Sequence, residues 1–456
     1  MTHTSSRPDA FRRTFVSIVA VLTLVCAVLV AVSAVIGPRV ESVSVDAQQV
    51  VLGAGQLRFF ANEQLGEGAS VTVNPAAGAS VAVSANVLSV QFDRPLAYGT
   101  EYTVTATHVT NTSDAAAATF THTFTTGDPA LYYLTRSPAG DEILSTSVRV
   151  SDEAPRVVYR ADRIEQFVRC GDLLVVATDA ADGTSALTLV SPSDGATENL
   201  ALPAVGTLDT LQSYGSTIGF TFTTTDDEYD PTINHQLFTL DLAASSRDVV
   251  PATGISGQPL GAQNWRFVAG TTTVIVHDLD SNLVSLDLAT GAILPLGQVS
   301  SFDGISTDAT AITVTDQLGL QRIDLADLAR TPVQPSPVGG RKVLGGAASL
   351  LRDGLRTQVV AVENAQTGRF DSYIVRDNGT TATPIYQTVN HEGRIVDSYP
   401  SPNDQYLAIE VEPNVSDSVS DRYPINPRST TITTVIVNIA SGRLVRSVNG
   451  FDVSWP

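Results

Sequence analysis

The sequence predicts an all-β fold: an N-terminal transmembrane helix, then an Ig-like β-sandwich, then a seven-bladed β-propeller closed by the C-terminal strand. Three observations predict this order. Residues 16–36 form an uncharged apolar run, and helical periodicity is nearly absent beyond it. The rest of the chain alternates short apolar runs with Gly, Asp, Asn, Ser and Pro, the pattern of many antiparallel strands. From about residue 130 onward these runs fall into a repeat whose period of about 40–50 residues suits propeller blades of four strands each.

The apolar run comes first. At 1.5 Å per residue, a helix over residues 16–36 spans roughly the 30 Å hydrocarbon core of a bilayer. Arg7, Arg12 and Arg13 precede it against one acid, Asp9, so the positive-inside rule keeps residues 1–15 in the cytoplasm and places the rest outside. The expected location is the cell membrane, single-pass, with extracytoplasmic C-terminal domains. The alternative is a cleaved signal peptide, for which Val32-Ser33-Ala34 offers small residues, although signal cores are usually 7–15 residues long. Cys26 lies within the run after Leu24-Val25, where a lipobox would need a small residue before the cysteine.

Formal net charge is −20. No basic groove is visible, so nucleic acid and anionic lipid headgroups are excluded as partners. Beyond the apolar run the only cysteine is Cys170, so stability must come from a large core and not from disulfides. Ala, Val, Thr, Asp and Gly are abundant and Lys342 is the only lysine, as in high-GC (actinobacterial-type) proteins.

Residues 40–127 form the sandwich, with candidate strands at roughly ten-residue spacing. In order come Leu57-Arg58-Phe59-Phe60-Ala61-Asn62-Glu63-Gln64-Leu65, Val71-Thr72-Val73-Asn74-Pro75, Val87-Leu88-Ser89-Val90, Pro95-Leu96-Ala97-Tyr98-Gly99-Thr100-Glu101-Tyr102-Thr103-Val104 and Phe120-Thr121-His122-Thr123-Phe124-Thr125-Thr126-Gly127. This series resembles the bacterial Ig-like family of surface-layer proteins. The resemblance implies a spacer or adhesion module and carries no catalytic residue. The family's Asp/Gly-rich segment before the last strand is here short and Ala-rich.

Residues 130–456 form the propeller. Its clearest repeat copies are Leu237-Phe238-Thr239-Leu240-Asp241-Leu242-Ala243, Leu283-Val284-Ser285-Leu286-Asp287-Leu288-Ala289-Thr290-Gly291 and Leu320-Gln321-Arg322-Ile323-Asp324-Leu325-Ala326. Seven further apolar runs, from Leu131-Tyr132-Tyr133-Leu134 to Leu407-Ala408-Ile409-Glu410, each precede one hairpin, which gives seven blades. The first blade lacks an inner strand upstream, and Phe451-Asp452-Val453-Ser454-Trp455 is left over; pairing the two closes the ring and leaves no long sheet edge. Ser401-Pro402-Asn403-Asp404-Gln405-Tyr406-Leu407-Ala408-Ile409 resembles the TolB-like (WD40-like) periplasmic propellers, with Asn403-Asp404 where that family has Asp-Gly.

No catalytic set assembles from the sequence. Ser213-Tyr214-Gly215 has Leu211 where a nucleophile elbow needs glycine, and the histidines are scattered, with no metal-ligand spacing. Asp278, Asp280 and Asn282 alternate like the start of a calcium loop, but Leu283 replaces the required glycine; an acidic turn is the plainer reading. No cofactor is expected. The long segments 224–234 and 412–429 are the candidate contact loops: Asp226, Asp227, Glu228, Tyr229 and Asp230 in one, Asp417, Asp421, Arg422 and Tyr423 in the other. The expected function is a membrane-anchored binding or scaffold protein that presents its propeller to a protein or glycan of the cell envelope. The alternative is a hydrolase or lyase using carboxylates or a metal in the propeller channel.

Overall fold

The computed structural model describes residues 8–53, 55–112, 116–128, 130–149, 154–226, 232–255, 257–363, 368, 370–388 and 392–455. The chain forms two compact units, residues 1–128 and 129–456. Helix α1 spans Pro8–Ile36. Its side chains are described at 12–26 and 28, and all of these are exposed. Among the described residues no helix is long and apolar enough to cross a membrane.

The first unit continues as two antiparallel sheets. Strands β1 (Val40–Val45), β2 (Gln56–Ala61), β3 (Ser70–Asn74), β4 (Ala79–Ser84), β5 (Val87–Phe92), β6 (Glu101–Val109) and β7 (Ala118–Thr125) pair in the orders β1-β2-β5-β4 and β3-β6-β7. Alternation sets the inner faces: Leu57, Phe59, Leu88, Val90, Val104 and Phe120 are buried, and their polar neighbours point out. The Phe59 and Phe120 rings meet across the two sheets at 5.7 Å. At the start of β6 the buried Tyr102 turns its hydroxyl back to accept the Ala97 N–H at 3.2 Å.

The second unit is a β-propeller of seven four-stranded antiparallel sheets among the described residues. Blades 2 to 7 each use four consecutive strands. Their inner strands are Ile164–Cys170, Gly206–Tyr214, Ala262–Phe267, Ser301–Ile305, Leu344–Leu350 and Arg394–Pro400. Blade 1 takes its inner strand from the far end of the chain: Phe451–Ser454 pairs with Ala130–Thr135, with Phe451 opposite Leu134 and Ser454 opposite Tyr132. Inner strands of successive blades lie side by side around the ring.

The second strand of each blade is apolar because both of its faces are covered by neighbouring blades; in Tyr406–Glu412 every residue is buried. Apolar layers fill the spaces between blades, such as Leu208, Phe220 and Phe238 against Val175 and Leu187. Each fully buried side chain of this size contributes about 1.5–3 kcal/mol. Every inner strand also carries a register shift against its neighbour. Such bulges increase twist and re-aim side chains, here at positions including Thr210, Asp303 and Asp452.

Because strands alternate in direction, the loops joining second to third strands share one face with the blade-to-blade connections. This face, called upper below, carries segment 412–429 and the described ends of segment 224–234, residues 224–226 and 232–234.

Candidate functional site

On the upper face, where blades 7, 1 and 2 meet, lies a cavity of about 790 Å³. Its wall is built from the end of Ala130–Thr135 (Thr135, Arg136), the connection into blade 2 (Asp162, Arg163), the 412–429 segment (Asp421, Tyr423, Ser429) and the approach to the closing strand (Asn449, Phe451). These pieces are far apart in sequence and meet only because the ring closes.

Arg136 is the hub. Its side chain is 6% exposed and faces the Asp421 carboxylate at 2.6 Å. All five guanidinium N–H groups donate: to Asp421 and the Asn426 carbonyl from Nη1, to the Ile164 and Glu165 carbonyls from Nη2, and to the Ile164 carbonyl from Nε. The guanidinium also lies 3.5 Å above the Tyr423 ring and 4.9 Å from that of Phe451. One side chain thus ties blades 7, 1 and 2 to the closing strand.

Tyr423 is held from three sides. Its hydroxyl donates to Asp141 Oδ2 at 2.5 Å, and the same oxygen accepts the Ile164 N–H at 2.7 Å. The Arg163 guanidinium lies 4.1 Å over the ring. Burial and the Asp141 carboxylate hold the phenol protonated far above its usual range. Asp421 Oδ1 accepts the N–H groups of Tyr423 and Arg428 at 3.2 and 3.0 Å, which folds the 412–429 segment into a tight turn. Glu165 accepts the Asn426 N–H at 3.0 Å; burial, then the neighbouring Asp179, pushes its carboxyl up to about 7.

A second group of acids lines the seam between blades 7 and 1. Glu410 accepts the Asp452 N–H at 2.7 Å and faces Arg428 Nε at 3.5 Å. Burial, then the charge of Asp452, pushes Glu410 up to about 7. Burial pushes Asp452 up to about 6.

The structure brings together two of the residues singled out from sequence, Asp421 and Tyr423. Arg422 sits exposed beside them with φ 62°. Asp417 ends a short 3-10 turn and accepts from the Asn414 amide at 2.8 Å. In the other segment Asp226 accepts from the Thr232 backbone N–H and hydroxyl; hydroxyl hydrogen bonds from Thr224 and Thr232 lower it to about 2. Asp227, Glu228, Tyr229 and Asp230 lie outside the described residues. Asp278 spends its oxygens on the turn, accepting the Asp280 and Asn282 N–H groups at 2.9 and 2.8 Å and the Asn282 amide at 3.0 Å. Among the described residues no group of three or more His, Cys, Asp or Glu is placed to hold a metal ion.

The Ser213 hydroxyl donates to the Arg169 carbonyl, and Cys170 is buried with its thiol on the Gly215 carbonyl at 3.1 Å. Sequence reasoning missed Arg136, Arg163, Asp141 and Glu165. The available signal was weak: charges at strand ends inside otherwise apolar runs.

The sequence matches no protein-family profile and no curated protein. Solved structures similar to the chain include TolB from Acinetobacter baumannii, at 13% identity over 79% of each chain with a TM-score of 0.36. Another is the β-propeller domain of the trilobed protease from Pyrococcus furiosus, at 11% identity over 74% of this chain and 93% of that one, TM-score 0.42. A third is an oligogalacturonate lyase in complex with manganese, at 11% identity over 64% of this chain and 83% of that one, TM-score 0.42.

Proposed function

We propose that this chain is a single-pass membrane protein whose extracytoplasmic propeller, of TolB-like type, binds a protein or glycan of the cell envelope through its upper face. The observation that carries the binding reading is the cavity of about 790 Å³ formed by Arg163, Tyr423 and the loops around them. Propellers engage partners where loops of several blades converge, and here three blades and the closing strand meet.

The anchor reading is supported by α1. It lies over the uncharged run of residues 16–36, with Arg12 and Arg13 on its N-terminal side. The spacer reading is supported by strand order. Labelled A to G, β1–β7 pair as A-B-E-D and C-F-G, the constant-type immunoglobulin arrangement, and Tyr102 makes the tyrosine-corner bond.

The test is site-specific photo-crosslinking in native envelopes. Probes at Arg163 and Arg422 should give the same discrete adduct, absent from a probe at Ala289 on the opposite face. Equal labelling from all three positions, or none from the first two, overturns the reading. Deleting residues 412–429 is a poor test, since Asp421 and Tyr423 anchor the ring itself.

A second reading, carboxylate catalysis in the channel, draws on Asp452, which lies on the inner strand of blade 1 and is raised by burial. It predicts cleavage of glycans or peptides that Asp452→Asn abolishes.

A further inference from the structure

The channel holds another pocket, separate from the upper-face cavity. It has a volume of about 330 Å³ and is lined by the C-terminal halves of the inner strands of blades 3 to 7. Space for it comes from blade 6, whose inner strand Leu344–Leu350 reads Leu-Gly-Gly-Ala-Ala-Ser-Leu. Small side chains there leave a void where the other blades project larger ones.

The polar groups in this pocket are unevenly matched. Arg266 lines it and supplies the one guanidinium among its lining residues. Asp303 and Asp397 line the same pocket, yet neither forms an ion pair with Arg266 among the described residues. Each is oriented by its own strand. Asp303 accepts the Ser301 and Thr315 hydroxyls at 2.7 and 2.8 Å. Asp397 accepts the Ser398 N–H and the Tyr399 hydroxyl at 2.7 and 2.9 Å. A guanidinium and two carboxylates are thus held apart in one small chamber, with Tyr214 and Phe267 supplying an aromatic side at 6.3 Å between rings.

We infer that this pocket binds a small zwitterion, a free α-amino acid or a dipeptide, with its carboxylate on Arg266 and its ammonium between Asp303 and Asp397. A guanidinium matches a carboxylate's two oxygens. The volume of about 330 Å³ admits a ligand of this size. The opposed charges reject ligands carrying only one of the two groups, because one side of the chamber would then face an unpaired charge.

Isothermal titration on the full-length protein in detergent micelles tests this, with a panel of amino acids and dipeptides against propionate and propylamine as single-charge controls. At least one zwitterion should bind with a Kd below 1 mM on the scale of such small-ligand sites, roughly 4 kcal/mol, and neither control should. Arg266→Met should weaken binding at least about tenfold, which is about 1.4 kcal/mol. Ala347→Leu, which fills the void without changing any charge, should abolish it while the thermal transition stays in place. Three results overturn the inference: no zwitterion bound at 10 mM ligand, on the order of ten times that Kd; propionate bound as tightly as the amino acids; or binding unchanged in Ala347→Leu.

Discussion

Single side chains in this ring do work that spans several blades. Arg136 satisfies three carbonyls and one carboxylate contributed by blades 2 and 7. Replacing it with methionine leaves Asp421 buried without its counter-charge, and a loss of about 3–5 kcal/mol is expected from denaturant unfolding. Arg136→Lys should recover little of this, because an ammonium cannot reach four acceptors arranged around a planar fork. The opposite effect is expected at Ala309, which closes a turn at φ 57°. Left-handed backbone costs an L-residue roughly 1 kcal/mol, so Ala309→Gly should raise stability by about that amount. Asp404 occupies the equivalent conformation, φ 58°, in the blade 7 turn where the TolB-like motif has glycine. It is no simple deviation: its carboxylate accepts the Arg352 N–H at 3.1 Å and meets that guanidinium at 3.3 Å, joining blades 6 and 7. Glycine there would relieve the backbone and cut the seam.

At the scale of the element, the inner strands of blades 1 and 2 and the second strand of blade 7 set the response to pH. Glu165 and Glu410 are raised to about 7 from an ordinary 4.5, and Asp452 to about 6 from 3.8. The folded ring therefore holds protons that the unfolded chain has already released. The stability these groups confer is complete below their unfolded values and is lost as pH rises through about 6 to 7. Urea midpoints should fall between pH 5 and pH 8, and Glu410→Gln should flatten the slope; a midpoint that climbs over that interval contradicts the assignment. Exposed acids such as Asp226, lowered to about 2, act in the other direction, only in stronger acid. The same strands explain what was legible in the sequence. Second strands such as Leu173–Asp179 are covered on both faces and so read as apolar runs. Inner strands such as Leu344–Leu350 line a channel, carry small or polar residues and break alternation at a bulge, so periodicity cannot find them. The 412–429 segment was visible as a loop, but its partner Arg136 lies 285 residues from Asp421, a pairing only ring closure creates.

For the whole molecule, closure is the decisive feature. Each blade buries its flanks only against the next, so a ring with one missing strand loses the layer around Tyr132, Leu134, Ile143 and Phe451. A chain ending at Asn449 should unfold at lower denaturant, with a broadened transition, while circular dichroism in water still reports strands; an unchanged transition would show that the closing strand is dispensable. The timing of synthesis adds a further demand. Strand Ala130–Thr135 emerges early, whereas its partner Phe451–Ser454 is made at the far end of the unit. At ribosomal speeds of about 5–20 residues per second, that edge waits unpaired for roughly 15–60 s. Throughout that interval the nascent protein carries an open template for stray β-pairing, so its biogenesis calls for a chaperone that shields one particular strand until the tail arrives.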